Sequence, residues 1–542
     1  MSELRIFLKK QPVLVYFILF FIVFLFFLVL HANSVFPDPD SFYHAKMAEL
    51  MRQEGVIYDF PYLQFTTLKE EFTDHHFLYH LLLIPFISLS DAISGIKLAT
   101  VFFAAIFIVT FYYLLNKNKY YRPLFFVLVI LATNPFIFRL NLAKAQGLAL
   151  IFFLLGIIFL TERKTTHLFF FSFLYVWTYG GWPIIFILTL AFIASSYLVL
   201  DFGLVKKSAF KGRGSGWKKK FLFLLTDRIF DKKLQRQNLK LFLSVGSGLV
   251  AGIVINPYFP QNLFFYWQQI IHIAVINYRD IIAVGGEWYS YDFKELAVSA
   301  FLVLFLFFAA LINFLVQVKK QNQNTWFFLA VTVFFLILTL KSRRNVEYFI
   351  PSSLLFSSAS LKNFFDSPVG KNMVVQFGKL ARNGIIIAEC AIAAALLLII
   401  AGRGFYYEFL ELRNGFRIDR FEKAALWLKE NSAPGSVVFH SDWDDFPLLF
   451  FHNSENNYIV GLDPTFMYNY NNDLYWKWHN ITIGEDLNGL YESIKNDFKS
   501  SYVLVDYNSN SGFDSNLMNN FYFDVVYSDS EAKIYKVLKD SN

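Results

Sequence analysis

Three observations on the sequence predict a polytopic α-helical membrane protein carrying a C-terminal soluble α/β domain. Of its 542 residues 56% are hydrophobic and 20% aromatic while only 17% are charged, against roughly 25% charged in an ordinary soluble domain. Apolar stretches long enough to cross a hydrocarbon core of about 30 Å recur up to residue 401. From Arg403 onward Asn, Asp, Ser and Lys rise, and short alternating runs replace the long apolar ones. A mean hydropathy of +0.42 with 68 Phe excludes disorder, collagen and disulfide scaffolds. The single Cys390 leaves no intrachain disulfide and no cysteine pair for a metal or redox centre. Any metal must therefore use oxygen or His ligands. The net charge of +7 matters less than where the charges lie, and it does not imply nucleic-acid binding.

In chain order the apolar stretches fall near 11 to 31, 93 to 115, 122 to 138, 145 to 160, 167 to 182, 184 to 201, 240 to 257, 298 to 317, 325 to 340, 346 to 361 and 384 to 401. These eleven, with further apolar runs beside them, predict about 11 to 13 transmembrane helices. Residues 1 to 10 carry Arg5, Lys9 and Lys10 but no small-residue cleavage site, so the first stretch reads as a retained signal anchor with a cytoplasmic N-terminus. The run 77 to 90 is expected to lie on or dip into the outer leaflet, because counting it as a span would put the basic loops 116 to 122 and 161 to 167 outside. Those two loops, 202 to 239 with KGRGSGWKKK, 318 to 324 and 362 to 383 then all face the cytoplasm.

Two domains follow: residues 1–401, a transmembrane domain with outer loops 32–92 and 258–297, and residues 402–542, an extracytoplasmic α/β domain. In the second, strands are expected at 436 to 440, 456 to 463, 501 to 507, 523 to 528 and 532 to 538, and an amphipathic helix at 421 to 435 stopped by Pro434 and Gly435. The expected location is a prokaryotic plasma membrane, crossed many times.

Ionisable residues inside a membrane protein mark its function, and here they gather in the outer loops. In FPDPDSFYHAKMAEL (36 to 50), Pro37 and Pro39 hold the backbone extended, so Asp38 and Asp40 can face one divalent cation or one acceptor group; they equally suit a solvated turn before a helix. In EEFTDHHFLYH (70 to 80), His76 and His80 at i, i+4 can share one partner, and His76 is a candidate metal ligand beside Asp38 and Asp40. Glu287 follows Gly285 and Gly286 and precedes Trp288, as a mobile carboxylate over a sugar or peptide would. Arg343 and Arg344, at the outer end of a span and against the charge rule, suit bidentate contacts to phosphate.

Together these residues resemble the C-type (GT-C) membrane glycosyltransferases, most closely the catalytic subunit of oligosaccharyltransferases. That family opens its first outer loop with Asp-x-Trp-Phe-x-x-Arg, and Asp40-Ser41-Phe42-Tyr43-His44-Ala45-Lys46 follows the pattern with Phe, Tyr and Lys substituted. The resemblance implies Asp40 as the principal catalytic acid, with Asp38 and Glu287 beside it, and Arg343 or Arg344 on the phosphate. The family's Trp-Trp-Asp-Tyr-Gly is matched in SVVFHSDWDDFPLLFF by Trp443 and Asp444, while Asp442, Asp445 and Phe446 depart from it. Where the family has a second acidic pair, residues 132 to 148 carry Arg139 and Lys144 and no acid. The resemblance implies Mn²⁺ or Mg²⁺ as cofactor; the two cations imply weaker dependence on it, with Lys144 or Arg139 doing part of the ion's work.

The expected function is transfer of a sugar or oligosaccharide from a polyprenyl phosphate or pyrophosphate carrier to an acceptor on the outer face. The carrier-linked donor, a peptide, glycan or lipid acceptor, and membrane lipid are the expected partners, with no nucleic acid among them. A lipid- or glycan-modifying transferase of the same type, and a non-enzymatic membrane transporter, are the alternatives.

Overall fold

The computed structural model describes residues 12–199, 229–380, 402–407, 409–485 and 489–538. The basic N-terminus, the KGRGSGWKKK loop and the expected span 384 to 401 with Cys390 lie outside the described residues.

Among the described residues four helices are long and apolar enough to cross a membrane: Val13–His31, Ala92–Lys117, Lys232–Val254 and Gln323–Lys341. Two expected spans are broken. The stretch 122 to 138 forms Pro123–Leu131 and Asn134–Leu140, bent by 79°, because Pro135 lacks an N–H for the first helix and fixes the first turn of the second. The stretch 298 to 317 forms Phe293–Ser299 and Phe301–Val316, bent by 96°. Counting each bent pair as one span gives up to six by length and composition, fewer than the sequence reading. The difference lies in the helices of 14 to 16 residues, Gln146–Thr161, Thr165–Thr178 and Pro183–Leu198, in the serine-rich Val346–Asp366, and in the expected span 384 to 401, which lies outside the described residues. The run expected at the outer leaflet forms the 11-residue helix Phe77–Ile87.

Close helix packing rests on small side chains. Lys232–Val254 lies against Thr165–Thr178 through Gly248 and Gly252: a Cβ on Gly248 would collide with the Phe169 carbonyl, and one on Gly252 would come 2.7 Å from that of Phe173. The serine-rich helix Val346–Asp366 is buried along most of its length, and three of its hydroxyls turn to backbone carbonyls, Ser352 to Tyr348 at 2.7 Å, Ser358 to Tyr121 at 3.1 Å and Ser360 to Ala310 at 2.8 Å.

The C-terminal region folds around a mixed five-stranded sheet of order β4-β3-β5-β7-β6. Its strands are β3 (Val437–His440), β4 (Asn457–Tyr458), β5 (Tyr502–Val505), β6 (Phe523–Ser528) and β7 (Lys533–Val537). β3 pairs in parallel with β4 and β5; β7 is antiparallel to β5 and β6. The expected strand 456 to 463 is two residues long, and its edge away from β3 meets the loop at 62 to 64: the Tyr458 N–H donates to the Tyr62 carbonyl at 2.7 Å, and the Gln64 N–H donates to the Tyr458 carbonyl at 2.9 Å. The amphipathic helix runs over Glu422–Asn431, with Gly435 at φ +77° in the turn before β3. A second junction is the antiparallel pair β1 (Val35–Phe36) and β2 (Phe416–Arg417). Between these junctions lies the helix Asp40–Glu54, whose Phe42 packs on Phe36 and on Phe451 of the helix Phe446–His452.

Candidate active site

The segment between β1 and the helix Asp40–Glu54 places two carboxylates at the helix start. Pro39 holds φ at −67°, and the Asp40 N–H donates to Asp38 Oδ1 at 2.9 Å, locking the pair as a turn. Facing them is Lys144, in the short turn between Asn134–Leu140 and Gln146–Thr161. Its Nζ lies 2.7 Å from Asp38 Oδ2 and 2.8 Å from Asp40 Oδ2, with 8% of the side chain exposed. The Asp40 carboxyl is pushed up to about 6, mainly by burial, with Lys144 pulling the other way and Asp38 adding to the rise. Burial works against the Lys144 charge, but Asp38 and Asp40 hold its ammonium above the ordinary range.

A second ionic group surrounds Glu287. Arg139 donates to Glu287 through Nη1 and to Glu347 through Nε, the latter at 2.9 Å. Arg344 Nη1 lies 3.4 Å from Glu287 Oε1, its Nη2 donates to the Tyr179 hydroxyl at 2.6 Å, and its guanidinium stacks over Trp288 at 4.4 Å. Burial disfavours the Glu287 charge, yet Arg344, Arg139 and Lys144 hold that carboxyl well below the usual range. The Arg139 Nη2 is buried with no partner among the described residues.

Both groups line one cavity of about 690 Å³. From the C-terminal domain, Trp443 and Asp444 enter it on the turn Trp443–Asp445, and the Trp443 ring lies 3.7 Å from where a Cβ of Gly285 would stand. Burial pushes the Asp444 carboxyl up, with Asp442, Asp40 and Asp38 adding to it. The residues that break the family pattern are structural: Asp442 caps this turn and Asp445 closes the reciprocal capping box.

Of the residues singled out in the sequence, Asp38, Asp40, His76, Arg139 and Lys144 line the cavity from the N-terminal half. Glu287, Trp288, Arg344, Trp443 and Asp444 line it from the rest. Arg343 does not: it sits outside on Glu295 at 3.1 Å and over Tyr291, because the single turn Arg343–Asn345 sends adjacent side chains apart. Sequence reasoning missed Glu347, which lies three residues after Arg344 and is fully buried against Arg139. It also missed Tyr179, Asp463 and His44, all in the cavity wall; the i, i+4 spacing of His44 from Asp40 was the available signal.

The expected metal set of Asp38, Asp40 and His76 is not assembled, and among the described residues no group of three His, Cys, Asp or Glu side chains has the geometry to hold an ion. Lys144 stands between the two aspartates. His80 does not join His76: its Nδ1 lies 2.7 Å from Asp74 Oδ2 and its Nε2 2.8 Å from His44 Nδ1.

No protein-family model matches the chain, and no curated protein matches it in sequence. Solved structures match it in shape over most of its length. The apo oligosaccharyltransferase of Archaeoglobus fulgidus superposes with a TM-score of 0.59 at 13% identity, covering 91% of this chain and 69% of the other. The oligosaccharyltransferase AglB of that organism, in complex with an inhibitory peptide and a dolichol-phosphate, gives 0.56 at 14% identity, covering 99% and 75%. Apo ArnT from Cupriavidus metallidurans gives 0.50 at 15% identity, covering 97% and 98%. The chain shares the fold of these structures, which are themselves C-type membrane glycosyltransferases, and that fold brings these acids, cations and aromatics into one cavity.

Proposed function

We propose that the protein is a membrane glycosyltransferase, similar in activity to the oligosaccharyltransferases. It takes a sugar or oligosaccharide from a polyprenyl phosphate or pyrophosphate at the outer face. The observation that carries this reading is the convergence of three surfaces in one cavity: the Asp40 carboxylate, the guanidiniums of Arg139 and Arg344, and an apolar wall that includes Ile184, Ile187, Ile273 and Leu338. A prenyl chain suits the wall, its phosphate suits the guanidiniums, and an acceptor N–H or O–H suits the carboxylate.

In this reading Asp40 is the base. Its Oδ2 is engaged by Lys144, which leaves Oδ1 for the acceptor. As the acceptor atom bonds to the sugar C1, the C1–O bond to the phosphate breaks, the electron pair stays on the phosphate oxygen, and the acceptor proton passes to Asp40. Arg139 Nη2 and Arg344 take up the charge that develops on the departing phosphate. Asp38 fixes the turn that carries Asp40. Glu287 holds the arginines in place on its glycine-preceded loop, and Trp443 and Asp444 hold the acceptor from the C-terminal side.

The archaeal structure holding an inhibitory peptide and a dolichol-phosphate supports a polyprenyl donor and a peptide acceptor. A second reading, a hydroxyl of a lipid or glycan as acceptor, is favoured by the altered motif, in which Asp442 and Asp445 are consumed as caps. Binding of a short-chain polyprenyl phosphate to the protein in nanodiscs tests the donor side. Arg344→Ala is expected to weaken it by about tenfold or more, the scale of a lost charge-assisted hydrogen bond. Equal affinity for polyprenyl phosphate and the uncharged polyprenol overturns the reading.

A further inference from the structure

We propose that Lys144 is the resident cation of this site, a built-in ammonium standing where a divalent ion would otherwise bridge Asp38 and Asp40. The assignment deepens the proposed glycosyl transfer and rests on it for its chemical meaning; its test reads ion binding alone.

The donor set carries the argument. A divalent Mg²⁺ or Mn²⁺ needs about six hard ligands close around it. Asp38 offers one oxygen to the Asp40 N–H and the other to Lys144, and Asp40 offers Oδ2 to Lys144. Glu287 is held by Arg139 and Arg344. Both nitrogens of His80 are taken, by Asp74 and His44. His76 Nδ1 is buried and unpartnered but is a single donor, so while Lys144 holds Asp38 Oδ2 and Asp40 Oδ2 no ion can be seated; removing the ammonium frees both oxygens for an ion whose remaining positions water can fill. An ion placed on the two aspartates would also stand against a buried ammonium that already touches both, and like charges at that separation repel strongly out of water.

The same geometry shows what the lysine supplies. An ammonium has three N–H donors; two point at Asp38 and Asp40, which leaves one for an acceptor or phosphate oxygen in the cavity. The backbone holds it firmly, since the Lys144 N–H donates to the Leu142 carbonyl at 2.8 Å and the next helix begins two residues later. Such a cation cannot be removed by a chelator, and it brings one charge where a metal would bring two. It thereby relieves the repulsion between the two acids and orients Asp40 without competing for the acceptor.

Electron paramagnetic resonance of free Mn²⁺, titrated with the purified full chain in detergent, tests this. Wild type is expected to leave the free-ion signal unchanged relative to a detergent blank. Folded Lys144→Gln, which keeps the length and removes the charge, is expected to take up about one equivalent of Mn²⁺, and Lys144→Gln with Asp40→Asn to lose that uptake; Lys144→Arg is expected to stay ion-free. Uptake by wild type that disappears in Asp40→Asn overturns the proposal, as does folded Lys144→Gln that takes up none. Should Lys144→Gln fail to fold, Lys144→Ala replaces it, and the comparison of wild type with Asp40→Asn decides alone.

Discussion

At the scale of single residues the site is a set of charges that neutralise one another. Asp40 keeps one oxygen beyond its lysine contact, and burial pushes its carboxyl up to about 6. Replacing it by Asn exchanges a carboxylate for an amide of nearly the same shape, so transfer is expected to fall at least about 10²-fold, the scale of a positioned base, while thermal melting stays close to wild type. With its carboxyl pushed up to about 6, Asp40 is protonated and inactive as a base below that pH. Hence kcat/KM should rise with pH through about 6 and level off above it; a flat profile between pH 5 and 7, roughly one unit either side, would count against Asp40 as the base. The residue types were legible in the sequence: acids after the first span, a glutamate behind two glycines, arginines on the wrong face. Their pairings were not. Nothing near Lys144 says that its ammonium meets carboxylates a hundred residues earlier, and nothing in KSRRNVEYFIP says which of two adjacent arginines turns inward.

Elements set the distances between those residues. Gly248 and Gly252 let Lys232–Val254 press on Thr165–Thr178, whereas Gly246, two residues before Gly248 and on the opposite side of the helix, has nothing within 4 Å of a built Cβ. Gly248→Leu is therefore expected to destabilise the protein in detergent by several degrees in Tm or to block its folding, and Gly246→Leu to leave Tm unchanged; equal effects would refute the packing argument. The buried Asp74–His80 pair anchors the helix Phe77–Ile87 beneath the cavity. Asp74→Asn leaves an imidazole with a weaker partner and should cost about 1–3 kcal/mol, read as a lowered midpoint of thermal unfolding. Hydrophobic runs announced these helices, but not their breaks. Pro135 was visible, yet whether a proline kinks a span or ends it depends on what packs beside it. β3, β5, β6 and β7 match the runs read from the sequence closely, because alternation and β-branched residues suffice for a strand with partners on both sides or a full hairpin. β4 is shorter than its run, and its edge away from β3 bonds to Tyr62 and Gln64, a long-range contact no local pattern records.

Over the whole molecule, β1–β2 and the contact of Tyr62 and Gln64 with Tyr458 tie the C-terminal domain to the first outer loop, so both must lie on one side of the membrane. In the proposed topology that side is extracytoplasmic. A periplasmic-active reporter fused after the C-terminus should then be active and a cytoplasmic-active one silent, and the opposite pattern would move the cavity to the cytoplasmic face. The sequence by itself determined the class of molecule: composition dictates how much chain must avoid water, span length follows from bilayer thickness, and the polar, alternating composition after Arg403 announces the C-terminal sheet. It also singled out most of the charged residues that line the cavity, since charges are tolerated beside a membrane only where something offsets them. Only the tertiary structure decided what offsets what. It set Lys144 between Asp38 and Asp40, turned Arg343 out and Arg344 in, and spent Asp442 and Asp445 on a cap. The reason is physical: hydrophobicity and propensity act locally along the chain, whereas a Coulomb contact depends on separation in space, which the packing of distant helices alone sets.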